Sequence, residues 1–214
     1  MRINRMVSFA GIGFVCCASV WTTNGDEPAK PKMWNFDKDK VGEIAPGFTS
    51  EVGEWKVVAD ETAPGKGQVL AQLAQSVEDA FNLALVKESS MKHVAVSMKF
   101  NAVGGKIDQG GGVVWRAKDA KNYYLCRYNP LEENLRVYKV VDGKRTIIES
   151  IDIEYAAGWH TLRAEMGDER IAVFYDGEAR SSFLNDTFMD AGMVGLWTKA
   201  DAQTYFDDFT YAKL

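Results

Sequence analysis

Cysteine is nearly absent, with three in 214 residues, at positions 16, 17 and 126. A disulfide framework is excluded, and once a leader carrying the first pair is removed, Cys126 has no intrachain partner. Histidine is scarcer, at two, so a zinc site of imidazole and thiolate is not expected. Basic residues are not in excess: 25 Lys and Arg stand against 30 Asp and Glu, a formal net charge of −5. Phosphate neutralisation needs clustered Lys and Arg, so a nucleic-acid partner is not expected. No apolar run is long enough for a transmembrane segment. Long helical periodicity, internal repeats and low-complexity blocks are missing too, which argues against helical bundles and solenoids.

The chain does have a leader pattern. Arg2 and Arg5 precede an apolar run from Met6 to Val20, the n-region and h-region of a secretory signal. Small-x-small cleavage sites occur at Cys16/Ala18 and at Thr23/Gly25. Cys16 and Cys17 follow Val15 and Cys16, not the Gly, Ala or Ser usual before a lipidated cysteine, so a lipoprotein anchor is disfavoured. The expected organisation is a signal peptide and tether start over 1–25, a linker over 26–33 and one domain over 34–214. Export to the periplasm or the extracellular space follows. At 46% hydrophobic residues, the chain can bury a core of its own, and a monomer is expected.

The domain alternates. His93 to Val103 places Val94, Val96, Met98 and Phe100 on one side and His93, Ser97, Lys99 and Asn101 on the other. Further strands are expected over 54–59, 68–73, 80–86, 146–153, 159–166, 171–175, 193–197 and 205–211. Turn signals at Asp142-Gly143 and Asp176-Gly177 separate some of them. About a dozen short strands with this spacing define an all-β sandwich of two antiparallel sheets.

Residues 109–141 carry the densest cluster of aromatic, basic and amide side chains. They read as three antiparallel strands, Val113 to Ala117, Tyr123 to Asn129 and Leu135 to Val141, joined by corners at 118–121 and 130–133. Pairing Trp115 with Leu125 and Arg127 with Arg136 puts Trp115, Leu125, Arg127, Asn129, Asn134, Arg136 and Tyr138 on one face. The other face holds Val114, Cys126, Tyr128, Leu135 and Val137 and reads as core. Flat aromatics, guanidiniums and amides suit the apolar face and the hydroxyls of a sugar, so the first face is the candidate site. A solvated salt-bridge face involving Glu132 and Glu133 is the alternative. Trp197, Lys199 and Asp201 stand where they can border the same cleft, and Gln109 with Gly110 to Gly112 allows close backbone approach.

Several stretches also carry a resemblance. GWHTLRAEMGDERIAVFYDGE (158–178) and AGMVGLWTKADAQTYFDDF (191–209) look like the Trp-His-x-Leu-Arg hairpin and closing strands of concanavalin A-like and laminin G-like jelly rolls. With DQGGGVVWRAKDAKNYYLCRYNP (108–130), they resemble the 3-keto-disaccharide hydrolase family, grouped with glycoside-hydrolase-16-like domains. The resemblance implies a concanavalin A-like jelly-roll β-sandwich acting on a saccharide or glycoside. The family's Leu-Phe-Asp-Gly-Lys opening is missing here. The Glu-x-Asp-x-x-Glu pair of carboxylates of true family 16 enzymes is missing too; Glu149 and Asp152 fall on opposite strand faces. An oxidised sugar needs no such pair. A ketone at C3 acidifies the C2 proton, so one base and one electrophile suffice. Arg127 and Arg136 are the expected electrophiles, with Trp115, Asn129, Tyr138, Trp197, Lys199 and Gln109 binding substrate. Glu132, Asp108 and His160 are candidate bases. A non-catalytic carbohydrate-binding module needs the same aromatics and amides and no base. No cofactor is required, though jelly rolls of this superfamily carry Ca²⁺ between first and last strands. The residues suited to that are Asp37 and Asp208, with Asp39 and Asp207 beside them.

Overall fold

Alternating apolar and polar residues punctuated by turn formers make strands and little else. The computed structural model describes residues 30–214, with fifteen β-strands and no helix among them. In chain order these are β1 (Lys32–Trp34), β2 (Phe48–Val52), β3 (Trp55–Ala59), β4 (Gln68–Gln72), β5 (Phe81–Val86), β6 (Val94–Gly104), β7 (Gly111–Asp119) and β8 (Asn122–Asn129). They continue as β9 (Asn134–Val141), β10 (Lys144–Asp152), β11 (His160–Gly167), β12 (Arg170–Tyr175), β13 (Glu178–Leu184), β14 (Met193–Lys199) and β15 (Gln203–Ala212). The expected leader and most of the linker lie outside the described residues; β1 opens at Lys32, inside the expected linker. Strands β1, β2 and β13 were not expected from the sequence.

The strands form two antiparallel sheets, as a jelly-roll sandwich requires. An eight-stranded sheet runs β13-β12-β11-β6-β15-β4-β3, with β1 also paired to β15; a seven-stranded sheet runs β10-β9-β8-β7-β14-β5-β2. Between them lies the main core. Val94, Val96, Met98 and Phe100 of β6 and Leu162, Ala164 and Met166 of β11 meet Val113, Tyr124, Cys126, Leu135 and Val137 from the facing sheet. The alternation read along β6 is the one observed. Cys126 is buried and unpaired there, and burial raises its thiol well above the usual range. Asp142 and Gly143, at φ 50° and 79°, take the two positive angles that a tight β9–β10 hairpin turn needs.

Two bulges matter for the faces, and the one in β7 resets an expected pairing. In β10 the register shifts between Ile147 and Glu149, so Ile148 and Ile151 pack on the core and Ile147 is 53% exposed. In β7 the shift falls between Trp115 and Asp119, with Arg116 at φ 47°. Asp119 pairs with Asn122, but Trp115 pairs with Tyr124 and Val114 with Leu125. The expected Trp115–Leu125 pairing is therefore out by one residue, and a one-residue slip exchanges faces. Trp115 points between the sheets at 0% exposure, stacked on Tyr124 with centroids 5.6 Å apart, its Nε1 donating to Met166 Sδ at 3.2 Å. It is core and cannot meet a sugar; Val114 takes its place on the outer face. Arg116, buried by the same bulge, ties strands to loops by donating to Lys92 O (2.9 and 2.6 Å) and Phe188 O (2.7 Å).

Candidate functional site

The outer face of the seven-stranded sheet carries a second apolar cluster, away from the core between the sheets. It contains Leu83, Leu85, Val114, Tyr123, Leu125, Tyr138, Val140 and Trp197, with Phe81 packed against them. Side-chain alternation puts Arg127, Asn129, Asn134 and Arg136 on this same face. Arg127 and Arg136 pair across β8 and β9 as expected.

Arg127 is the centre of the polar part. It is 2% exposed. Its Nη1 donates to Asn134 Oδ1 at 2.7 Å and Asn134 O at 3.1 Å; its Nη2 donates to Glu132 Oε2 at 2.9 Å and Tyr138 Oη at 3.1 Å. Glu132 Oε2 also accepts from Arg136 Nη1 at 2.7 Å, and Arg136 Nε donates to Ser150 Oγ at 3.1 Å. Burial pushes the Glu132 carboxyl up, but the Arg127 charge, hydrogen bonds from Arg127 and Asn134, and the Arg136 charge outweigh it, so the net shift is downward. Glu132 is therefore a fixed anion shared by two guanidiniums, which disfavours it as a base. Opposite Arg127, Gly112 is required: a Cβ there would lie 2.2 Å from Cys126 O and 2.8 Å from Arg127 Cβ.

Asp108 organises the neighbouring corner. Its Oδ1 accepts from Asn129 Nδ2 at 2.9 Å, and its Oδ2 lies 3.6 Å from Lys199 Nζ. Burial raises its carboxyl, against the Arg127 and Lys199 charges that lower it. The loop that holds it is pinned by Asp201, whose carboxylate accepts from the backbone N–H groups of Lys106 (2.7 Å), Ile107 (3.0 Å) and Asp108 (3.0 Å). Gln109 Nε2 donates to Gly105 O at 2.8 Å within that loop. Asn129 Oδ1 accepts from Leu131 N at 2.8 Å, so this amide also shapes the β8–β9 corner.

The aromatic part adjoins. Trp197 Nε1 donates to Tyr123 Oη at 3.2 Å, and burial pushes the Tyr123 phenol up to about 12. Phe81 and Trp197 have centroids 5.6 Å apart. Arg145, on β10 just past the hairpin turn, lays its guanidinium over Tyr138 (4.4 Å), Phe81 (5.2 Å) and Trp197 (5.6 Å). Burial lowers the proton affinity of Arg145, with the nearby Arg127 charge acting in the same direction.

The structure thus brings together Arg127, Arg136, Asn129, Tyr138, Trp197 and Lys199 from the expected set, leaves Gln109 tied to its own loop, and removes Trp115. Tyr138 and Trp197 are buried as a floor and do not stand up as an open platform. Phe81, Tyr123 and Arg145 were missed. Tyr123 shares parity with Leu125, so strand alternation alone places it here. His160 lies in the other sheet, stacked on Tyr175, its Nδ1 2.8 Å from Asp176 Oδ2 and its Nε2 2.9 Å from Ala156 O. That is a structural position. Asp37 and Asp208 do not form a cation site: Asp208 pairs with Lys99 at 2.7 Å, and Asp37 accepts from Asn35 Nδ2 at 2.8 Å. Among the described residues no group of three or more His, Cys, Asp or Glu side chains could hold a metal ion. These residues therefore do not fit the expected Ca²⁺. No helix of the described residues is long and apolar enough to cross a membrane.

The architecture is that of the carbohydrate-binding and galectin-like jelly rolls. Among solved structures, the carbohydrate-binding module CBM66 from Bacillus subtilis matches at TM-score 0.65 and 19% identity, over 78% of this chain and 96% of its own. A Bacillus subtilis protein of unknown function with a galectin-like fold matches at TM-score 0.56 and 10% identity, over 78% and 89%. The GH43 protein BlXynB from Bacillus licheniformis matches at TM-score 0.60 and 16% identity; this chain covers 39% of it and contributes 85% of its own length. No protein-family model matches the sequence, and neither does any curated protein. At these identities the likeness is one of fold.

Proposed function

We propose that this domain binds a saccharide on the outer face of its seven-stranded sheet. One observation carries the proposal. A polar network centred on Arg127 and Asp108 and rimmed by the partly exposed Arg136, Glu132 and Lys199 is built beside the partly exposed ring of Phe81, on a face the sandwich does not need for its core. Guanidinium, ammonium and amide groups orient hydroxyls, while aromatic and aliphatic surface takes the C–H side of a pyranose. Arg136, Lys199 and Glu132 form the rim a ligand meets first. The carbohydrate-binding module, matched over nearly its whole length, supports the proposal at the level of fold. Calorimetric titration of the exported form against neutral and charged oligosaccharides is the test. Binding to at least one, weakened by Lys199→Ala and by Arg136→Ala, is expected. A wild type that binds none refutes the proposal.

A second reading, turnover of a 3-keto-glycoside as the family resemblance implies, is favoured by Asp108. Its buried carboxyl, raised by that burial, is the best-placed base on this face. In such a reaction Asp108 takes the C2 proton of the 3-keto sugar. The electron pair then forms the C1–C2 double bond as the C1–O bond breaks, Asp108 passes the proton it took to the leaving aglycone oxygen, and water adds across the double bond, OH to C1 and H to C2. Arg136, the partly exposed guanidinium of the pair, would stabilise the enolate oxygen. Aglycone release from a 3-keto-glucoside, unseen with the unoxidised sugar and lost in Asp108→Asn, is the expected result; no release by the wild type leaves only binding.

A further inference from the structure

We propose, resting on the saccharide reading above, that Asp201 is a positioning residue for this face: it fixes the 104–110 loop so that Asp108 holds Lys199 ready at the rim. Asp201 acts through these neighbours and not by contact with the sugar. It lies in a turn at the end of β14 that is anchored from behind. Ala200, at φ 50°, donates its N–H to Ala80 O at 2.9 Å, and its carbonyl accepts from Asn82 Nδ2 at 3.2 Å and from Ser76 N at 3.3 Å. Ala202 N donates to Lys199 O at 3.0 Å across the turn. Asn82 is fully buried, so the turn is a fixed base.

The loop it holds has little else to keep it in place. Ile107 is 52% exposed and Lys106 is exposed, so no apolar burial secures the tip. Gln109 spends its amide inside the loop, on Gly105 O. Three consecutive backbone N–H groups, of Lys106, Ile107 and Asp108, converge instead on the Asp201 carboxylate. Such convergence makes an anion nest with charge-assisted bonds. Burial pushes the Asp201 carboxyl up, but the backbone donors outweigh it and the net shift is downward. Gly105 lets loop and turn close on each other: at φ 127°, a Cβ there would lie 2.0 Å from Asp108 O and 3.1 Å from Ala202 Cα.

Asp108 is the next link. One of the three N–H groups is its own, so fixing the loop fixes its side chain. Its carboxylate then accepts from Asn129 Nδ2 at 2.9 Å and stands 3.6 Å from Lys199 Nζ. Lys199 is the accessible end, its side chain 17% exposed against 6% for Asp108. A lysine on its flexible stem costs a ligand affinity unless it is ordered beforehand. One turn therefore holds both members of the pair, Lys199 through the chain and Asp108 through Asp201.

The test is a double-mutant cycle read by calorimetric titration with galactan, xylan and galacturonan oligosaccharides of equal length, each variant first shown to be folded by its denaturation midpoint. Asp201→Ala is expected to bind the sugar that wild type binds about tenfold more weakly, as Lys199→Ala does, within the range that coupled neighbours show. Because Asp201 acts through Lys199, the double variant should be no weaker than Lys199→Ala alone. Asp201→Asn, which keeps one oxygen to accept from the loop, should recover part of the loss. Wild-type affinity in a folded Asp201→Ala, or losses that multiply in the double variant, overturns this inference and leaves saccharide binding standing. If wild type binds none of the three sugars, the saccharide reading falls and takes this one with it. Should Asp201→Ala fail to fold, Asp201→Asn completes the same cycle.

Discussion

Asp207 offers a measurement of what one buried carboxylate costs this fold. It is 1% exposed on β15, paired across the sheet with Lys99, and burial is the main reason its carboxyl is pushed from 3.8 to about 6. The neighbouring Asp208 and Asp37 charges add to the rise; the backbone N–H of Asp208, donating at 2.7 Å, and the Lys99 charge oppose it. The sign follows from proton counting. The folded state holds this proton more tightly than the unfolded chain, so stability is highest when the group is protonated. Stability falls as pH rises from about 4 to about 6 and stays lowered above that. A shift of about two units is worth about 3 kcal/mol, which bounds the effect. Asp207→Asn removes the charge and keeps an oxygen to accept from Asp208. The variant is expected to be more stable than wild type at pH 7, by an amount approaching about 3 kcal/mol, and to lose that advantage near pH 4. Chemical denaturation from pH 4 to 8 reads this directly; thermal midpoints should differ by about 2–4 °C per kcal/mol in a domain of this size. A difference that does not change with pH, or a wild type more stable at pH 7, refutes the reasoning.

Other outcomes follow from the same packing. Trp115→Ala should cost about 3–5 kcal/mol of stability as a core truncation, and the folded fraction should keep wild-type saccharide affinity, measured by titration below its midpoint. Cys126 should resist a thiol reagent in the native protein and react once denaturant is added; rapid native labelling would contradict its burial. For the leader, N-terminal sequencing of protein from its own cell should begin near Ser19 or Asp26, and an intact Met1 on cytoplasmic protein would contradict export.

Much of this fold can be read from alternation because most strands keep strict period two. β6 shows its buried row at Val94, Val96, Met98 and Phe100 with no interruption, and the Arg127–Arg136 pairing follows from an ordinary corner. Bulges break that legibility. At Arg116 the backbone turns left-handed, extra residues enter β7, and every side chain before them changes face; the only local hint is a buried arginine that no periodicity predicts. The same slip cost the sequence reading its platform tryptophan. Arg145 was missed for a different reason. It comes directly after the Asp142-Gly143 turn, and its role depends on rings from β5, β9 and β14 that only the closed sheet assembles. β2 hid behind glycine and proline, and β13, an edge strand with largely exposed side chains, has no apolar row to announce it.

The pairing of β1 with β15 sets Lys32 opposite Tyr211, so the domain is entered and left side by side. Both points lie in the eight-stranded sheet, behind the sheet whose outer face carries Arg127 and Arg145. A tether, a surface or a neighbouring domain joined at either point is therefore held at the back of the molecule, and the front stays open to a polymer too large to enter a pocket. The adjacency also means that the two ends can be linked to each other and the chain reopened at an exposed hairpin such as Asp142-Gly143 with little change to the sandwich. In display or immobilisation, attachment through either end orients every copy the same way, with the Arg127 face outward.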